Sequence, residues 1–329
     1  MGKRKFNLLK ASIDLSIFLV IILTVNAQSE NLLRNGNFEE WEIRNDTYQT
    51  LFGAPLQFPQ TDTVLMPKNW FAEIVFSCCV FPELGNVVFQ TNESNTGSFG
   101  LKLGGFFGLH LQTGIYLFQN INVVPGFPYV MSYHVKNPFG YAGNARRMRG
   151  TWLDVNGNPI SSAFFLLAPS SINYIHVHGS TIFAPCNATS IKIYFDKADF
   201  GGITYDDGYF GQNLSANPNA CPITIDIKPG SFPNAINLKS KGIIPVGVLS
   251  TSTFNAPELL NLSTFTFENA TIVKHSVEDV NNDSLKDLVM FFKTQDTTIT
   301  CIQTSAALQG KRFDNGIVIG TDSIVTVGC

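Results

Sequence analysis

The chain has 329 residues, 22 Lys+Arg against 25 Asp+Glu, a formal charge of −3, and 44% hydrophobic with only 14% charged residues. A chain of this size holds more than one core, and its acidic balance argues against a nucleic-acid binder, which needs a basic field. An anionic partner would have to be met by a local basic patch, and the tight one in the sequence, Arg146, Arg147 and Arg149, is expected to decorate a loop.

Lys3, Arg4, Lys5 and Lys10 precede an apolar run from Leu15 to Val25, which closes on Val25-Asn26-Ala27. That is the pattern of a secretory signal peptide over residues 1–27. The run of about 11 residues falls short of the roughly 20 a membrane helix needs. No later stretch is long and charge-free enough to cross a bilayer, so the mature chain is expected outside the cell or at its surface, with 18 Lys+Arg facing 24 Asp+Glu.

Six cysteines remain after residue 27, an even number that in an exported chain points to disulfides rather than catalytic thiols. Cys301 and Cys329 are the two well inside the C-terminal region and are paired on that ground; Cys221 is left to close one of Cys78, Cys79 and Cys186. Asn-x-Ser/Thr sequons beginning at Asn45, Asn92, Asn187, Asn213, Asn261, Asn269 and Asn282 fit a glycosylated exterior protein.

The small polar stretch 215–220, with Pro218, divides the chain into residues 28–214 and 221–329. Both sides read as strands. Tyr129, Met131, Tyr133 and Val135 share one face of Tyr129–Lys136, with Ser132, His134 and Lys136 on the other. The pattern returns in Ile191–Asp196 and, less cleanly, in Thr151–Val155, and Pro125-Gly126, Asn137-Pro138 and Asn156-Gly157 supply the turns. The best helical candidate, Ala256 to Leu262, spans less than two turns, so the fold is expected to be all-β, with a closed or double-sheet first domain.

In the second region Lys241–Leu249 reads as a buried, kinked strand. Asp279, Asn281 and Asp283 then alternate in a loop where Leu285 can add its carbonyl and Asp287 can close the shell of a hard cation, for which calcium is the natural occupant. Met290 stands where an EF-hand has its last Glu, so this is a β-type calcium loop. His176-Val177-His178 could put two imidazoles on one strand face, as metal ligands do, but exposed histidines on a β edge are the commoner outcome.

Residues 31–212 carry an ordered set of short motifs: Asn31-Leu32-Leu33-Arg34-Asn35-Gly36-Asn37-Phe38-Glu39, Pro67-Lys68-Asn69-Trp70, Gly97–Leu103, Gln119–Tyr129, Leu153–Gly157, Phe183-Ala184-Pro185 and Ile203–Phe210 with its Asp206-Asp207 pair. In that order they resemble carbohydrate-binding modules of families 4, 9 and 22, a galactose-binding-like jelly roll. The resemblance implies a β-sandwich jelly roll and a structural calcium with Glu39 and Asp206 as carboxylate ligands. It also implies a sugar site of flat aromatic faces with polar neighbours, for which His134, Trp152, Tyr194 and Tyr116 are the candidates, with Asn120, Asp154 and Lys136 beside them.

Ile225-Asp226-Ile227-Lys228-Pro229-Gly230, Glu278–Asp283 and the Thr321–Cys329 ending resemble a smaller C-terminal β module recurrent in secreted bacterial and archaeal proteins, which implies no enzymatic activity. The sequence shows no Gly-x-Ser-x-Gly elbow, His-Glu-x-x-His or phosphate loop. The expectation is a secreted, non-catalytic protein that binds a glycan or cell-surface polymer. Two alternatives stand beside it: a surface-layer, matrix or filament component that assembles with itself, and a polysaccharide-active enzyme using two distant carboxylates.

Overall fold

The computed structural model describes residues 29–52, 56–76, 88–104, 113–138, 146–161, 164–197 and 202–329. The expected signal peptide, Cys78 and Cys79 lie outside the described residues. Among those described, buried apolar side chains form two clusters, one from Leu33 to Phe210 and one from Cys221 to Ile324. Strand pairing runs within each of the two regions.

The first region is a sandwich of two mostly antiparallel sheets. Its strands are β1 (Trp41–Phe52), β2 (Leu56–Pro67), β3 (Phe71–Phe76), β4 (Val88–Thr91), β5 (Gly100–Leu103), β6 (Thr113–Asn122), β7 (Pro128–Asn137), β8 (Arg146–Leu153), β9 (Pro159–Ser161), β10 (Phe165–Leu167), β11 (Ser171–His178), β12 (Ile182–Phe183), β13 (Ser190–Lys197) and β14 (Ile203–Gln212). One sheet runs β10-β8-β13-β6-β3-β1-β2 with β9 on β8; the other runs β11-β7-β14-β5-β4 with β12 on β7.

Period-two alternation decides what each strand buries. Strand β7 turns Tyr129, Met131, Tyr133 and Val135 inward, as its sequence predicts. Strand β13 does the same with Ile191, Ile193 and Phe195, and β6 with Ile115, Leu117 and Ile121. Rings meet across the sandwich: Tyr133 packs on Phe195 at 5.9 Å, and Phe195 on Tyr205 at 4.9 Å. Each large apolar side chain buried in this way contributes roughly 1.5–3 kcal/mol.

Asn31–Phe38 lies along β14, with the Leu32 N–H donated to the Phe210 carbonyl at 2.7 Å and the Gly208 N–H to the Gly36 carbonyl at 2.8 Å. A Cβ at position 36 would strike the Gly208 carbonyl, so the close approach of these two chain segments requires glycine.

The basic trio does not sit in a loop. Arg146, Arg147 and Arg149 belong to β8, where Arg146 points inward, fully buried and bonded to Asn137 Oδ1, while the other two point outward. A strand with arginines at i and i+2 on its outer face is compatible with burial because Met148, Gly150 and Trp152 fill its inner one.

In the second region eight strands form one sheet, including Ile243–Val248, Leu260–Phe267, Ala270–Glu278, Asp287–Lys293, Ser305–Arg312 and Ile317–Ser323, and Ala235–Asn237 pairs in parallel with Val325–Val327. The helical candidate 256–262 is one short helix, α1 (Ala256–Leu259), with a proline in its first turn. From Leu260 the chain is strand, because Phe265 and Phe267 are drawn into the sheet core.

Cys301 and Cys329 form the expected disulfide, with Cα atoms 5.9 Å apart. Cys221 is joined to Cys186, Cα atoms 5.4 Å apart, which ties the second region to the first. Beside it the Asn219 N–H is donated to the Gly126 carbonyl at 2.8 Å.

Candidate ligand-binding face

The outer face of the larger sheet collects the aromatic and charged side chains that alternation excludes from the core. Strand β6 supplies Tyr116, Phe118 and Asn120; β13 supplies Lys192, Tyr194 and Asp196; β8 supplies Arg147 and Arg149; β3 supplies Phe71 and Glu73. The rings are linked: Phe71 to Phe118 at 5.8 Å, and Phe118 to Tyr194 at 5.7 Å.

Cations lie on these rings. Lys192 Nζ stands 3.6 Å from the centre of Phe118, and the Arg149 guanidinium 3.7 Å from that of Tyr194 and 5.4 Å from that of Tyr116. Arg44 covers Phe71 at 5.5 Å. Such contacts are worth about 0.5–2 kcal/mol each and fix long side chains that would otherwise roam.

Each cation also has an acid. Lys192 pairs with Glu73 at 2.6 Å, and Arg44 with Glu42 at 3.0 Å. Asp196, only 1% exposed, accepts the Nε–H of both Arg147 (3.1 Å) and Arg149 (2.5 Å) on one oxygen. Burial pushes the Asp196 carboxyl upward, and Arg149 and Arg147 pull it back. Burial likewise raises the Tyr116 hydroxyl.

The expected sugar-site residues therefore divide. Tyr116, Asn120 and Tyr194 share this outer face. Trp152 does not: it faces inward, 4% exposed, between Tyr129 and Phe164, so its ring is closed to a ligand. Asp154 follows β8 and holds a turn, accepting the N–H of Asn156 (2.9 Å) and Asn158 (2.8 Å); those bonds keep its carboxyl below the usual range.

His134 and Lys136 lie on the outer face of the opposite sheet. There His134 stacks on His176, its direct partner across β7 and β11, at 4.7 Å, and lies 3.5 Å from Asp207. Burial and His176 lower the His134 pKa while Asp207 raises it. His178 is beside His176, and the three line a hollow of about 390 Å³ with Tyr209 and Asn213. His176 and His178 are exposed on the edge strand.

The carboxylates expected to hold calcium at the first site grip one turn from its two ends. Glu39 Oε1 accepts the N–H of Ser98 (2.8 Å) and Phe99 (2.9 Å), and Asp206 Oδ2 accepts those of Asn95 (2.6 Å) and Thr96 (3.2 Å). Burial raises the Asp206 carboxyl to about 6 against the pull of the two amides.

In the second region Asp279 accepts the N–H of Asp283 and Ser284, and Asp283 that of Leu285. Asp287 is 0% exposed and turns both oxygens to backbone N–H groups, Ser250 at 2.7 Å and Val280 at 3.0 Å. Both sets are hard oxygen donors suited to calcium. Among the described residues, however, no three His, Cys, Asp or Glu side chains converge as a metal site. Asp287 is engaged elsewhere, and that arrangement depends on Ser250, 37 residues upstream, which the loop pattern alone does not reveal.

Of the sequon residues, Asn45, Asn92, Asn187, Asn269 and Asn282 are exposed, whereas Asn213 and Asn261 are half-buried. Asn213 Nδ2 is donated to Thr181 Oγ1 at 2.7 Å. Among the described residues no helix is long and apolar enough to cross a membrane.

The chain matches no family model and no curated protein. Among solved structures it is similar to the C-terminal family 22 carbohydrate-binding module of Clostridium thermocellum Xyn10B, at 15% identity and a TM-score of 0.32 over 46% of this chain and 89% of that one. A family 61 module in complex with β-1,4-galactotriose is similar at 12% identity and a TM-score of 0.30, over 56% of this chain and 100% of that one. The enzymatically active domain of bacteriophage CBA120 tailspike protein 4 gives 15% identity and a TM-score of 0.32 over 56% of this chain; the chain spans only 21% of that domain. Modules of families 16 and 4 occur as well, at 16% and 18% identity and a TM-score of 0.31 each.

Proposed function

We propose that the protein is an exported, non-catalytic glycan-binding protein whose ligand lies across the outer face of the larger sheet. The observation that carries this reading is the row of linked rings on that face, Phe71, Phe118 and the largely covered Tyr194, with Tyr116 beside it across Arg149 and with cations and an amide, Asn120, placed among them. Aromatic surface next to fixed hydrogen-bonding groups is what a pyranose, apolar on its C–H faces and polar at its rim, requires. Phe71 is the open ring of the set at 52% exposed.

A glycan array probed with the purified chain tests the reading. Binding that is reproducible and weakened by Phe71→Ala and Asn120→Ala supports it, and a blank array overturns it. Release of reducing ends from the bound polysaccharide would instead make the protein an enzyme.

Calcium enters the same proposal as a stabiliser. Glu39 with Asp206, and Asp279, Asn281 and Asp283 with the Leu285 carbonyl, are the donors that would hold it, and the cation would draw together segments these carboxylates already join. A melting temperature raised by calcium, with the rise reduced in Asp283→Ala, is the expected result; the same melting temperature in calcium and in chelator removes calcium from the reading.

A further inference from the structure

The charges on the outer face of the larger sheet do not balance everywhere. Lys192 is matched by Glu73, and Arg44 pairs with Glu42. Among the described residues, two guanidinium groups at the β8–β13 seam share a single carboxylate, which leaves one positive charge over at Arg147 and Arg149 in a chain whose formal net charge is −3.

Geometry makes that excess usable. Both arginines reach Asp196 through Nε, and among the described residues their terminal Nη groups make no hydrogen bond. An arginine held by Nε still offers its Nη edge, a planar pair of donors whose spacing fits a carboxylate. The two side chains are each about a quarter exposed.

The rings beneath have a second role. Arg149 rests on Tyr194 and Tyr116, and Arg147 on Phe165 at 5.3 Å. These rings serve as props that hold the guanidinium planes before any ligand arrives, lowering the ordering cost of binding. With Arg149 only 3.7 Å from its centre, Tyr194 offers a neutral sugar little bare surface on that side, whereas an acidic sugar gains from the cation covering it.

We propose that Arg147 and Arg149 form a carboxylate subsite and that the glycan bound by this face carries uronic acid residues. The proposal rests on the reading of this face as glycan-binding and names the class of glycan. Most of the discrimination comes from the paired donors, since the overall charge of the chain repels rather than attracts a polyanion.

The test compares short oligogalacturonides, their methyl esters, neutral xylo- and galacto-oligosaccharides and a sulfated oligosaccharide by calorimetric titration of the full chain. The free acid is expected to bind about tenfold or more tightly than its ester, as loss of charge-assisted hydrogen bonds dictates. Arg149→Lys, which keeps the charge and loses the fork, is expected to erase most of that difference. Equal affinity for acid and ester, or a sulfated sugar binding as tightly as the uronate, overturns the carboxylate subsite while neutral-sugar binding keeps the broader reading alive. No binding to any glycan overturns both. If Arg149→Lys does not fold, the acid-to-ester ratio of the unaltered chain decides by itself.

Discussion

Replacing Asp287 by alanine separates two roles for one carboxylate. In the structure it is fully buried and accepts two backbone N–H groups from chain segments far apart in sequence, Ser250 at 2.7 Å and Val280 at 3.0 Å. Ser250 in turn donates its hydroxyl to the Lys286 carbonyl and accepts the Ala256 N–H, so the loss reaches the start of α1. A hydrogen bond to a charged group is worth about 1.5–3 kcal/mol, and a buried donor left without an acceptor costs a similar amount, so the substitution should cost about 3–5 kcal/mol. Hydrogen exchange of peptides covering 244–250 and 287–293, measured in chelator, should then speed up by about a hundredfold or more. If protection is unchanged in chelator and falls only when calcium is present, Asp287 acts through the ion, and the clasp between Ser250 and Val280 is refuted.

Three further outcomes follow from positions in the core, the disulfides and the histidine face. Trp152→Ala empties a site only 4% exposed and should lower stability by about 3–5 kcal/mol in urea titration; a loss of glycan binding without loss of stability would contradict its inward position. Cys301→Ser opens a link between residues 28 apart and should cost about 3–4 kcal/mol, seen as a lower melting temperature than that of the unaltered chain under non-reducing conditions. His134 should titrate below the ordinary histidine range by NMR and move upward in His176→Asn, because its stacked neighbour is then uncharged at every pH. A histidine whose folded pKa is depressed lends stability above its unfolded pKa and loses it as the pH falls through the folded value, so acidification below about 6.5 should weaken the packing of β7 on β11.

Much of the sandwich was legible because alternation is a local signal. Tyr129–Lys136 displays its core and outer faces in the sequence itself, and the structure keeps that division residue by residue. The same rule places Trp152 correctly once Arg147, Arg149 and Thr151 are taken as the outer set of β8, since Trp152 then falls with Met148 on the inner one. The proposed sugar face was only half legible, and topology is the reason. Tyr116, Asn120 and Tyr194 come from strands that pair directly, whereas His134 lies on β7, which joins the other sheet, and nothing in a single strand tells which of two sheets it will enter. Asp196 was invisible for a related reason: a carboxylate in a strand gains its meaning from Arg147 and Arg149, which cross-strand register brings beside it from 49 and 47 residues away, respectively.

The bond between Cys186 and Cys221 has a consequence for how the molecule would be displayed. With Asn219 also fastened to Gly126, the short connector between the two sandwiches is denied the freedom of a swivel. If the proposed face grips a polymer, the second unit is held out at a set heading, and many copies on one polymer point the same way. A reducing milieu would remove the covalent half of that restraint and leave the Asn219–Gly126 hydrogen bond to hold the heading.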